Sequence, residues 1–415
     1  MRKALIVGVA SLALIGSWST LTASGSPPQE RVPTWTEDIG PLMAANCMGC
    51  HRPGQVAPMS LLSYDDVVPW ARSIRMVVGE RIMPPWHADP QWGHFVNDRR
   101  LTEGEIGTIL AWIEAGSPRG DGTFAAPTYA QGGWSLATSE GPPDYVFEME
   151  EEWQMPAAGP DIYQHVYIPT THTEDIWLRG LEAIGNSRIV HHIDIMAEHP
   201  DDSRALLGID LPGKPPDFFP DGNAILFPAG AQLRLTMHYH PNGEPQTNRT
   251  RVGVWLARSP VEYQVIGDLV TDQTFEIPPY EPNYEHRAEK VFEEEADLLV
   301  LNPHMHYRGR DFKFQLLHPD GREETLLSVP HYNIYWQMVY KLAEPIHLAK
   351  GAKLRTVGHF DNSENNPWNP NPSVRVIYGM DSRDEMFEGW IHYRRKLDKP
   401  VMPSYGELTT DGGGS

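Results

Sequence analysis

The chain has 415 residues, 40% hydrophobic and 10% aromatic, enough to bury more than one core and in keeping with roughly two to four domains. Its formal charge of -21 argues against nucleic acid and acidic lipid surfaces as partners. Only two cysteines are present, three positions apart, which excludes a disulfide framework for most of the chain.

Arg2 and Lys3 begin the sequence, followed by an apolar stretch too short for a comfortable membrane span and by small residues around Ala23 to Ser26. This reads as a signal peptide over 1–25, the alternative being an N-terminal membrane anchor. It implies a periplasmic or secreted protein with no stable membrane insertion after the signal is removed. Thr36 to Ala45 reads as a short helix leading into Cys47-Met48-Gly49-Cys50-His51. In this motif the two thiols can form thioethers to haem vinyl groups while His51 ligates the iron. Ser63 with Asp66 starts a helix towards Val78, kinked or restarted at Pro69, and Thr102 with Glu105 forms a capping box before Ile106, Ile109, Leu110 and Ile113. Gly116 ends that helix. A small all-α c-type cytochrome domain over 33–120 fits these signals. Met59, Met76, Met83 and His87 compete as the second iron ligand; Met83 is preferred because Pro84 and Pro85 would hold its loop extended across a haem face. The RIMPPWHADP segment also resembles the distal loop of some bacterial c-type cytochrome domains.

From 121 to 143 the composition turns to Gly, Pro, Ser and Ala, a linker or long wrapping connection. Beyond it come short alternating segments separated by turn residues, which argue for two tandem all-β sandwiches over 144–260 and 261–398, with a tail at 399–415.

Three histidine pairs stand out in the β-rich region. His304 and His306 would share one face of a strand, as would His238 and His240, whereas His191 and His192 can serve one ion only if the strand bulges or ends there. Imidazoles suit copper, zinc, iron or nickel, and a thioether such as Met386 shifts the preference towards copper and redox chemistry. His94, His172, His199, His286, His318 and His347 read as solvated or hydrogen-bonded.

From about Asp161 to Tyr393 the segments VHHIDIM at Val190, LRLTMHYHPNG at Leu233, IPP at Ile277, NPHMHYRGR at Asn302, DGREETLL at Asp320, HYNIYWQ at His331 and DEMFEGWIHY at Asp384 occur in an order and spacing that resembles the copper type II, ascorbate-dependent monooxygenases. The resemblance implies two jelly-roll sandwiches, each with one copper ion, facing across a solvent-filled cleft. It places His191, His192 and His238 on the electron-transferring copper, and His304, His306 and Met386 on the catalytic copper that binds dioxygen. It leaves His240 as an outer or surface residue. Where the family has cysteines this chain has His165 and Phe387, so packing replaces disulfides. Asn302 stands where peptide-amidating members place an Arg for a substrate carboxylate, which argues against a peptidylglycine substrate. Glu388 and Trp390 follow the Met ligand and could hold an amine. The expectation is therefore a monooxygenase that hydroxylates a small organic substrate with O2, using two copper ions and one covalently bound haem c supplied by an external electron donor. The other readings are a periplasmic copper and haem electron-transfer or sensor protein, and a zinc hydrolase.

Overall fold

The computed structural model describes residues 31–129, 133–186, 188–211 and 214–404. The proposed signal peptide lies outside them, as does most of the proposed tail. No helix among the described residues is long and apolar enough to cross a membrane.

Helices occur almost entirely in the first hundred described residues. A π-helical turn, Trp35–Ile39, runs into the helix Gly40–Asn46, and Thr34 starts it by accepting from the Glu37 N–H. Tyr64–Val67, Val68–Trp70 and Ala71–Gly79 follow as three consecutive helical pieces, because Pro69 has no N–H to continue a regular ladder. Both expected capping boxes form, Ser63 with Asp66 and Thr102 with Glu105, each contributing about 1 kcal/mol. Gly116 takes φ +84° just past the helix Glu103–Glu114, a conformation that costs glycine little. These pieces close over a core of Trp35, Ile39, Met43, Leu61, Ile74, Ile109 and Trp112.

The helical region is not a contiguous 33–120 block. Trp86, Ala88 and Phe95 pack into the core of the second β region, with Tyr340, Leu298 and Leu326. Backbone bonds fix the detour: Asp89 N–H donates to Ser328 O (2.8 Å), Val96 N–H to Lys341 O (3.0 Å) and Ala343 N–H to His94 O (2.8 Å). Asn97 adds two more, donating to Val339 O and accepting from Lys341 N–H. Trp86 and Phe95 bury their apolar rings in this core.

The rest of the chain is β-rich and sandwich-like. One core gathers Ile193, Ile195, Leu207, Phe227, Leu233, Leu235, Met237 and Val254. A second gathers Leu298, Phe312, Phe314, Leu327, Leu354, Phe360 and Phe387. The strand Val261–Thr271 joins them. It pairs in parallel with Asn223–Phe227 and antiparallel with Glu388–Val401, and its Val265 enters the first core while Val270 enters the second. The expected boundary near 260 thus falls beside a strand that both cores use. Facing this sheet, Tyr284–Val291, Lys353–Phe360, Gly309–Leu317 and Glu323–Val329 form a separate four-stranded sheet. Phe387, at a position where a cysteine was expected from the resemblance, is fully buried and stacks on Phe312 at 4.9 Å. The 121–143 connection wraps rather than dangles: Trp134 packs edge-on against Trp255, and Glu182 accepts from the backbone N–H groups of Ser135 and Leu136.

Candidate metal centre

The strand Gln232–Tyr239 alternates cleanly. Leu233, Leu235, Met237 and Tyr239 fill the first core, so Arg234, Thr236 and His238 face the other way. Its neighbour Val190–Glu198 pairs with it antiparallel, with a register irregularity between Val190 and His192. That irregularity lets two consecutive histidines turn towards one point. His192 Nδ1 lies 3.3 Å from His191 Nδ1 and 3.2 Å from His238 Nδ1, and ligand atoms of the three residues fall within 4.8 Å of one another.

The surroundings hold these imidazoles neutral and oriented. Burial lowers His191 to about 3, with His238 adding to the effect, and lowers His192 well below its ordinary value. Asp161 accepts from His238 Nε2 (2.9 Å) and His240 Nδ1 (2.7 Å); burial alone would raise its carboxyl, but these bonds outweigh it and hold the group well below the usual range. With Nε2 occupied by Asp161, Nδ1 of His238 is the nitrogen left for a ligand. Tyr163 stacks on the His238 ring at 4.2 Å and hydrogen-bonds Ser382 of the second β region.

His304 ends the strand Ala296–His304, opposite Glu388 on Glu388–Val401. His306 sits in the turn that follows, its ring centroid 5.4 Å from that of His304 and its buried Nε2 without a hydrogen-bond partner. Burial lowers His306 to about 4. Glu385, fully buried and adjacent to Met386, accepts from the backbone N–H of His306 (2.8 Å) and of Arg308 (2.6 Å). One carboxylate therefore ties the His-x-His turn to the segment carrying Met386.

His192 and His304 lie only 5.8 Å apart between ring centroids. A wide solvent-filled cleft does not separate the two groups, because the continuous pairing of Val261–Thr271 with Glu388–Val401 draws the sandwiches together. Beside them is a cavity of about 240 Å³ lined by His192, Asp194, His304, Met386, Glu388 and Trp390 among others. Glu388 accepts from Tyr378 O–H and Trp390 Nε1–H, and burial beside Asp194 pushes it up to about 7. Burial likewise pushes Asp194 to about 7, against the pull of Arg234. Asn302 also lines the cavity, but its amide nitrogen is committed to the Gln337 and Met338 carbonyls.

The CMGCH segment forms a tight turn in which Cys50 and His51 N–H both donate to Cys47 O. Cys47 and Cys50 are free thiols, and burial pushes Cys47 to about 12. With His51 on the same side and Met83 among the further lining residues, they border a mostly apolar crevice of about 440 Å³. Met59 also lines it. His87 instead bonds the His331 carbonyl, and Met76 is 54% exposed. The remaining wall comes from the β region: Arg188, Ile189, Val190, His191, His240 and Trp336.

Sequence reasoning singled out the histidines, the thiols and both methionines but missed Asp161, Asp194, Glu385 and Trp336. Each acts through a strand register or a loop contact that no local pattern writes.

Residues 266–408, which carry His304, His306 and Met386, match the family model of the copper type II ascorbate-dependent monooxygenase C-terminal domain. That part of the chain is similar to a copper-dependent monooxygenase. No curated protein matches the chain. Among solved structures it is similar to the major capsid protein P2 of bacteriophage PM2, at 7% identity over 62% of this chain and 99% of that one, with a TM-score of 0.28. It is also similar to a peptide-N(4)-(N-acetyl-β-D-glucosaminyl)asparagine amidase, at 8% over 64% and 99%, TM-score 0.31. PNGase F from Flavobacterium meningosepticum gives 8% identity with the same coverages and a TM-score of 0.29. At these scores the likenesses carry no functional argument.

Proposed function

We propose that this chain is a copper-dependent monooxygenase that hydroxylates a C–H bond of a small organic substrate with dioxygen, and that a haem c held by the same chain reduces its metal centre. The observation that carries the reading is the placement of two histidine groups 5.8 Å apart beside a cavity of about 240 Å³ that Met386 also lines, within a chain whose C-terminal third matches a copper monooxygenase domain. The finer architecture that goes with it is a helical c-type cytochrome module followed by two jelly-roll sandwiches, exported through the 1–25 signal to the periplasm or the exterior.

The residues fit the groups this function requires. Three convergent imidazoles, whose ligand atoms fall within 4.8 Å of one another and which burial holds neutral, suit a bound cation at His191, His192 and His238. The unpartnered, buried Nε2 of His306, with His304 and the thioether of Met386, suits a second, softer site. The crevice bordered by two thiols, His51 and Met83 suits a covalently attached haem with a His and a Met ligand. Hydroxylation, RH + O2 + 2 e⁻ + 2 H⁺ giving ROH + H2O, takes two electrons from outside the substrate, and two copper ions would each supply one.

The chain's own groups do the rest. Asp161 fixes the orientation of His238, and Glu385 fixes the turn that presents His304 and His306. His192, His304 and Met386 are each less than a tenth exposed, which limits the water around the reacting face. Glu388, Asp194 and the indole of Trp390 give the cavity groups that suit an organic cation, Arg204 and Arg234 line it as well, and Asn302 supplies no positive charge at its own position. Protein matured with haem and copper should contain two copper ions and one haem, and should place isotopically labelled oxygen from O2 into one member of a panel of small amines. Copper and haem without any oxygenated product would support an electron-transfer or sensor protein instead. Zinc in both sites, with no effect of haem on turnover, would sink the monooxygenase reading.

A further inference from the structure

The haem crevice and the metal centre share a wall, and that wall is His191. His191 lines the crevice that Cys47, Cys50, His51 and Met83 border, whereas His304, His306 and Met386 lie outside it. The opposite face of the centre opens elsewhere: His192, His304 and Met386 line the 240 Å³ cavity with Glu388 and Trp390. Between the two spaces is a void of about 20 Å³ touching His191, Leu211 and Gln337, room for about one water and too small for an organic molecule. The chain itself divides the two sides. Trp336 faces the crevice beside His191, while its neighbour Gln337 lines the cavity with His304. The helical region has no freedom to swing away, because residues 86–98 are stitched into the second core by Phe95, Trp86 and the backbone bonds described above.

We propose that His191 is the electron port of the metal centre: a haem held in the crevice that Cys47, Cys50, His51 and Met83 border would hand its electrons to the three-histidine site through His191, on a different side from the substrate cavity. The inference rests on the copper and haem reading of these sites. In each transfer ferrous haem becomes ferric and Cu(II) at His191, His192 and His238 becomes Cu(I); no bond forms and no proton moves. An external one-electron donor returns the haem to the ferrous state, and two transfers accompany each product. Electron entry and substrate entry therefore use different faces.

The test uses full-length protein loaded with haem and copper, kept anaerobic, and reduced with flavodoxin hydroquinone, a protein donor too large to enter either cavity. Haem oxidation state is followed by its visible absorption and Cu(II) by freeze-quench EPR. His306→Ala confines copper to the three-histidine site, and His238→Ala confines it to the other; retained haem absorption and one bound copper show that each variant has folded. The expected result is haem-coupled loss of the Cu(II) signal roughly tenfold or more faster in His306→Ala than in His238→Ala. In the ferric, Cu(II) state, spin coupling between haem and copper should also be stronger in His306→Ala. Equal or reversed rates with comparable coupling would overturn the port while leaving haem as the donor. Haem that stays ferrous beside unreduced copper in both variants would overturn the donor reading, and the port with it.

Discussion

Asp161 and Glu385 contribute no metal-binding atom of their own to the two histidine groups, yet each determines where one of them stands. Asp161 holds Nε2 of His238, so a change to Asn replaces an anionic acceptor by a neutral amide and loosens both the ring's tautomer and its angle. Copper affinity at the three-histidine site should fall about 10- to 100-fold in Asp161→Asn, with the second site unaffected, as read by competition titration with a copper chelator. Glu385 satisfies two buried backbone N–H groups at once. Glu385→Ala leaves both without a partner, at about 1–3 kcal/mol each, and should release copper from the His304, His306 and Met386 site while the three-histidine site stays loaded. Glu385→Gln keeps the carboxamide oxygen for one of them and should lie between the two. Equal copper stoichiometry and EPR spectra for wild type and Glu385→Ala would show that the turn holds its shape without the carboxylate.

Among the elements, the stretch from Trp86 to Asp98 departs furthest from its sequence neighbourhood. It follows a helix and precedes another, yet its aromatic residues belong to a β core: Trp86 and Phe95 pack against Tyr340 at 4.9 and 5.3 Å between ring centroids. Phe95→Ala should cost about 3–5 kcal/mol through the cavity it leaves. Cleavage by a broad-specificity protease should then shift to residues 86–98, and the crevice of Cys47, Cys50 and His51 should lose its fixed register against His191. A variant that unfolds at the wild-type temperature and resists cleavage there would show that the backbone bonds alone anchor the stretch. The strand Val261–Thr271 teaches a related lesson. Its sequence reads as the start of a second domain, but its hydrogen bonds run to both halves, so the two cores are joined by sheet rather than by a hinge.

At the scale of the whole molecule, the seam between the halves carries buried charge. His392, on the strand that pairs with both Val261–Thr271 and Ala296–His304, faces Asp217 and Lys214 of the first half and Lys341 of the second, and burial lowers it to about 4. The folded state thus refuses a proton that the unfolded chain accepts near pH 6.5. This group costs nothing above that pH, and stability falls as the pH drops from about 6.5 towards 4, by at most about 1.4 kcal/mol per pH unit. His392→Leu should flatten the fall in thermal stability across that window whatever it does to stability at pH 7; an unchanged slope would place the acid sensitivity elsewhere. Much of the candidate site was legible in the sequence because its signals are local: two thiols and a histidine in one turn, two histidines on one face of a strand, capping boxes at the expected helix starts. What the sequence left out depends on distance. Asp161 meets His238 across 77 positions and Glu385 meets His306 across 79, by strand pairings whose register no local pattern fixes. The sequence by itself determined which side chains could hold haem and metal, since spacing along one strand or turn dictates which of them share a face. Only the tertiary structure decided that the two histidine groups nearly touch and that His191 borders the crevice of Cys47, Cys50 and His51, because both follow from how strands and loops distant in sequence pack on one another.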